Sequence, residues 1–161
     1  MDSTTTTILA AKLLSTTLAL TAAGYGLSSS QNAVPRLYQE PVRTSTSIFA
    51  HTFYTGAKFA VPTSIGSILA SAYLAYVLPE QRALWATSAG LMLATMPWTR
   101  FVMFPGIFRL IAMSKDEKLC EESEGTREHI GLLKAWVAQN YVRAGAFFAG
   151  GVVGMWAVLR A

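Results

Sequence analysis

Charge is scarce in this chain. Thirteen basic and nine acidic side chains make up 14% of 161 positions. An ordinary soluble domain carries about 25%, so there are too few here to wet the surface of a water-soluble fold. Cysteine is nearly absent as well. The lone Cys120 excludes an internal disulfide, and one Cys with two His cannot furnish a zinc site of the usual kind. Cys120 stands among Glu121, Glu122 and Glu124; acidic neighbours raise a thiol pKa, which argues against a nucleophile. The net charge of +4 is mild and the basic residues are dispersed rather than striped, so no nucleic-acid partner is expected. Neither Asn32 nor Asn140 has a hydroxyl residue two positions on, so there is no glycosylation sequon. No metal-binding motif, Gly-rich dinucleotide fingerprint or haem-ligand pair is visible.

Apolar residues are abundant, at 52%, and they gather in runs. A helix of about 20 mostly apolar residues spans a hydrocarbon layer of roughly 30 Å. Four segments meet that requirement: about Ile8–Leu27, Phe59–Leu78, Leu84–Phe104 and Ala135–Leu159. Only a helix satisfies its own backbone in lipid, so the spacing predicts an all-α, integral membrane four-helix bundle, a single domain over residues 1–161. Ala22-Ala23-Gly24 resembles a signal-peptide cleavage region, but the residues before Ile8 include only Asp2 and no positive charge, which favours an uncleaved helix. Two long loops, 28–58 and 105–134, fall on one side. Pro35 and Pro41 break the first, and the charged stretch Lys115–Glu128 reads as solvated.

Eight basic residues lie in those two loops: Arg36, Arg43, Lys58, Arg109, Lys115, Lys118, Arg127 and Lys134. The opposite side holds Arg82, Arg160 and at most Lys12. The excess predicts cytoplasmic long loops and a multi-pass location, in an endomembrane on this reading.

Charge inside the spans is costly and calls for a reason. Arg100 lies 16 residues after Leu84 and Arg143 16 residues before Leu159, placing both about 24 Å from the non-cytoplasmic surface. His129, Leu133, Trp136, Asn140, Arg143 and Phe147 recur at 4-3-4-3-4 spacing and share one helical face. That polar stripe predicts a lined pocket opening toward the cytoplasm. The competing reading has the arginines snorkel to phosphates and Trp98 and Trp136 join the interfacial aromatic belt. An amide cannot snorkel, so Asn140 needs a partner on a neighbouring helix. His51, Tyr54 and Lys58 approach from the same side, whereas His129, beside Arg127 and Glu128, reads as exposed. Gly150 and Gly154 have the spacing for close helix packing, within one chain or between two, so a homo-oligomer stays open.

Three stretches together resemble the anthrone oxygenase-like family of small four-helix membrane proteins. They are Phe53-Tyr54-Thr55-Gly56 with the downstream Pro62, the run from Met96-Pro97-Trp98-Thr99-Arg100 to Met103-Phe104-Pro105, and Leu132-Leu133 through Trp136 and Asn140 to Arg143. The chain departs from the family at Ile107, where an Asn is common. The resemblance implies an oxygenase of fungal polyketide pathways that converts an anthrone to an anthraquinone. It would act on a small aromatic polyketide dissolved in membrane lipid, with dioxygen as co-substrate and no cofactor. In that scheme His51 is the base, Asn140, Arg143 and Arg100 stabilise the oxyanion, and Tyr54 and Trp136 stack on the substrate. The alternatives are a non-enzymatic scaffold for biosynthetic enzymes, or a relative that hydroxylates or rearranges another phenolic polyketide.

Overall fold

The computed structural model describes residues 3–160; Met1, Asp2 and Ala161 lie outside the described residues. Seven α-helices follow one another: α1 Ser3–Ser28, α2 Val42–Val77, α3 Arg82–Leu93, α4 Thr95–Trp98, α5 Phe104–Met113, α6 Glu117–Thr126 and α7 Glu128–Leu159. Four runs are long and apolar enough to cross a membrane: Ser3–Gln39, Val42–Val77, Pro79–Met113 and Glu128–Leu159. In the membrane, α1 and α3 each pack against both α2 and α7, so the four spans form a closed ring.

Prolines place the interruptions. A helical proline lacks an N–H, and its ring meets the carbonyl four residues back, which widens or breaks the helix there. Pro35 and Pro105 would strike the carbonyls of Gln31 and Phe101. Each of those residues lies inside a five-residue π turn, Ser29–Ala33 and Thr99–Met103 respectively. Pro97 faces Leu93, where α3 ends. Pro41 caps the start of α2, and Pro62 sits within it.

The two expected loops are instead helical. At 36 and 32 residues, α2 and α7 are about 54 and 48 Å long, well beyond a hydrocarbon layer of roughly 30 Å. Their excess, with α5, α6 and the 3-10 turn Val34–Gln39, builds a helical head on the side of the basic residues. The head has its own apolar core, centred on Val34, Phe49, Met103, Ile107, Leu110 and Leu133. The Lys115–Glu128 stretch is mostly exposed, as expected, but it forms the helix α6 rather than a loop. Asp116 caps α6, accepting from the Lys118 and Leu119 N–H groups, and α6 turns Cys120 and Ser123 inward. Burial, then Glu124, pushes the Cys120 thiol up. His129 is buried rather than exposed, with its backbone N–H donating to Ser123 Oγ and its Nδ1 3.2 Å from the same hydroxyl. Arg109 ties α5 to the start of α7 through a two-point ion pair with Glu128, at 3.0 and 3.1 Å.

The membrane half away from the head is not plain apolar packing. A chain of hydroxyls crosses all four spans: Ser15 to Ser71 at 2.6 Å, Ser71 to Ser88 at 3.4 Å, and Ser88 donating to the Gly150 carbonyl at 2.8 Å. Gly150 and Gly154 face α1 and α3 of their own chain, so their close packing is intramolecular. A Cβ on Gly150 would meet Met92 Cγ at 2.8 Å and the Ser88 carbonyl at 3.1 Å. Gly150→Ala is therefore expected to destabilise the bundle by about 1–3 kcal/mol through overpacking, read as a lowered unfolding midpoint in bicelles.

Candidate functional site

A cavity of about 310 Å³ lies where the head meets the membrane bundle, and all four spans line it. That volume is at the lower end of small-molecule sites, about 300–1,000 Å³. The wall from α2 follows helical spacing: Phe49, Thr52 and Phe53, Gly56 and Ala57, Ala60 and Val61, then Ser64. Small residues in the middle of that stripe hollow out the space. α1 contributes Tyr25 and Gly26, and the first π turn contributes Ser29. The second π turn contributes Thr99 and Arg100, and α7 contributes Trp136, Arg143 and Phe147. Both π turns thus donate residues to one cavity, as widened turns do at many functional sites. The exposed lining residues are Val61, Ile65, Met96 and Arg100. The mouth therefore lies sideways, between α2 and α4 with the second π turn, rather than through the head.

Arg100, Trp136 and Arg143, expected as site residues, meet on this wall. Trp136 stands edge-on to Phe49 at 5.5 Å, giving an aromatic floor. The Arg100 guanidinium lies 5.6 Å from the Phe104 ring centre at the mouth. Arg143 is partly buried and lines the cavity together with Tyr25. Among the described residues, the ion pairs are Arg43–Glu117 and Arg109–Glu128. Neither cavity arginine has a carboxylate partner.

The other three expected residues lie elsewhere. His51 and Tyr54 are exposed on α2. At about 100° per residue His51 falls off the α2 wall, whereas Tyr54 shares the outer edge of that wall with Val61 and Ile65 but sits nearer the head; neither is among the residues lining the cavity. Tyr54 instead packs edge-on against Phe53 from outside, at 5.6 Å. Asn140 is fully buried but stands behind the wall. Its amide nitrogen donates to the Gly26 carbonyl at 2.9 Å and to Ser30 Oγ at 2.8 Å, tying α7 to α1 where α1 enters its π turn. The amide nitrogen is thus met by the α1 backbone and by the Ser30 hydroxyl of the first π turn, while Oδ1 has no partner among the described residues. Asn140→Ala is expected to destabilise the fold by about 1–2 kcal/mol and to lower activity less than loss of Arg143, as thermal melts and turnover measured together can show. Ile107, where the family commonly has Asn, is packed in the head core and does not line the cavity.

Sequence reasoning missed Tyr25, the sole aromatic residue of α1. Its hydroxyl sits directly against Gly56, where any Cβ would collide with it. The signal was a single aromatic set between Gly24 and Gly26.

The family model for anthrone oxygenase matches residues 49–153, about two thirds of the chain. The protein belongs to the anthrone oxygenase family. The matched region holds the α2 wall, both arginines and Trp136 of the cavity. No curated protein and no solved structure matches the chain. Among the described residues, no three His, Cys, Asp or Glu side chains come together as a metal site would need.

Proposed function

We propose that this anthrone oxygenase family member oxidises a polyketide-derived anthrone to an anthraquinone with dioxygen, in secondary-metabolite biosynthesis. One observation carries the reading: two arginines without carboxylate partners among the described residues line an aromatic, apolar cavity where the head meets the membrane bundle. Uncompensated cations are expensive in that setting, and a flat, greasy substrate that becomes an anion supplies what they lack.

The chemistry balances without a further reductant. The anthrone methylene loses one proton, and the resulting anion transfers an electron to dioxygen. The radical pair joins as a carbon–oxygen bond, and protonation gives a hydroperoxide. Loss of the second methylene proton then forms the carbonyl as the O–O bond breaks. One dioxygen supplies the quinone oxygen and one water. Arg143 and Arg100 stabilise the negative charge on the substrate oxygen and the peroxide, while Trp136 and Phe49 hold the ring system. The sideways mouth, rimmed by Val61, Ile65 and Met96, suits a substrate that arrives dissolved in lipid. No cofactor enters this scheme. We further propose that the protein resides in an endomembrane with its basic head in the cytoplasm.

The test uses purified protein in lipid nanodiscs with an emodin-type anthrone and an oxygen electrode. The expected result is anthrone-dependent oxygen uptake above the spontaneous reaction, one dioxygen per quinone, without added flavin, nicotinamide or metal. A non-enzymatic scaffold would leave uptake at the spontaneous rate.

A further inference from the structure

The oxidation requires a group that takes a proton from carbon and later returns one to oxygen. The ionisable side chains that line the cavity are Tyr25, Arg100 and Arg143. Arginine does not give up its proton in proteins. The expected base, His51, is exposed off the cavity face of α2. That leaves a single proton-exchanging side chain among the described lining residues.

Its placement fits the task. α1 presents Tyr25 to the cavity, and the phenol ring is held by Phe59 at 5.3 Å between ring centres. Gly56 clears the space that the hydroxyl occupies. Of the other lining hydroxyls, Ser29 Oγ donates to the Tyr25 carbonyl, Thr95 to Met92 and Thr99 to Thr95, and those of Thr52 and Ser64 are aliphatic alcohols that do not ionise near neutral pH. The Tyr25 hydroxyl has no hydrogen-bond partner among the described residues, and Tyr25 lines the same cavity as Arg143.

We propose that Tyr25, from the helix ahead of the family-matched region, is the catalytic proton-transfer residue of this site. Its phenolate oxygen takes the first methylene proton of the anthrone. The phenol formed gives that proton to the distal oxygen of the peroxide, regenerating the phenolate. The phenolate then removes the remaining methylene proton; as the carbonyl forms, hydroxide leaves and takes the proton from the phenol as water. Tyr25 ends as it began. This assignment rests on the anthrone oxidation proposed above.

The charged groups that share the cavity lining with Tyr25 are Arg143 on α7 and Arg100 on the second π turn. The cavity face of α2 contributes none, Lys58 being exposed elsewhere on that helix. A pH profile is therefore readable in terms of the phenol. The experiment measures steady-state anthrone oxidation, corrected for the spontaneous rate, by wild type, Tyr25→Phe and protein carrying 3,5-difluorotyrosine at position 25. Tyr25→Phe retains the ring against Phe59 and is expected to keep its unfolding midpoint. Its kcat should fall by about 10²–10⁴-fold while KM changes less than threefold. Fluorination acidifies the phenol, so the acid limb of the kcat/KM profile should move to lower pH. If wild type fails to outpace the spontaneous reaction, the functional reading is wrong and this assignment falls with it. If wild type is active while Tyr25→Phe stays within threefold of it, or the fluorinated protein keeps the wild-type profile, the Tyr25 assignment alone is overturned.

Discussion

Arg143→Ala in nanodisc-embedded protein should oxidise an emodin-type anthrone about 10²–10³-fold more slowly than wild type, with an unfolding midpoint unchanged or raised. The loss follows from removing a preorganised donor that faces the oxyanion, an effect worth about 2.7–4 kcal/mol in a water-poor site. The preserved stability follows from the absence of a carboxylate partner among the described residues. Breaking an ion pair inside a protein strands the other charge, but deleting Arg143 strands none and removes the cost of holding a cation in the bundle. A structural arginine behaves oppositely, its loss lowering the midpoint along with the rate. Arg143→Lys keeps the charge but loses the planar fork, so it should recover part of the rate. Comparison of kcat and midpoint across these three proteins checks both halves of the expectation.

Gly56→Val should nearly abolish turnover while leaving the membrane bundle folded. Gly56 lies mid-stripe on α2 with the Tyr25 hydroxyl against it, closer than any Cβ allows. The added isopropyl group would expel the hydroxyl and fill part of a cavity of about 310 Å³. The expected loss is at least about 10²-fold, the scale on which misplacing a catalytic group acts. Gly56→Ala tests the graded form: a single Cβ displaces Tyr25 while leaving most of the space, so it should lower kcat more than it raises KM. A KM effect alone would point to simple crowding of the substrate. Gly24, by contrast, has open space around it, and Gly24→Ala should match wild type.

The features legible in the sequence were those where lipid makes a residue expensive. Apolar runs between Pro and charged segments gave the four spans, and Arg100, Arg143 and Trp136 stood out against them and now share one cavity. Segment 42–58 hid its helix because Arg43, His51 and Lys58 interrupt its hydrophobicity and its Thr and Ser residues read as loop. Taken as a loop, it left His51 and Tyr54 free to point inward; as the first half of α2, it leaves both exposed and outside the cavity lining. The stripe on α7 correctly grouped Trp136, Asn140 and Arg143 on one face, but a stripe does not say which neighbour each member meets. Asn140 meets the α1 backbone, whereas Arg143 meets the cavity. Tyr25 was invisible for a different reason. Its role depends on Gly56, 31 residues later, and no local pattern joins the two. The head core was likewise missed because it is assembled from residues on separate segments, such as Val34, Phe49, Ile107 and Leu133.

The central claim is that this cavity inserts one atom of dioxygen into a bound anthrone. The most direct measurement is the mass of the product formed by purified protein under ¹⁸O₂ in ordinary water, with catalysed and spontaneous product compared at matched conversion. The account predicts a catalysed quinone with one heavy oxygen, located at the former methylene carbon, and this excess product vanishing in Arg143→Ala. Catalysed product without the label, or a rearranged isomer with an unchanged oxygen count, would contradict it.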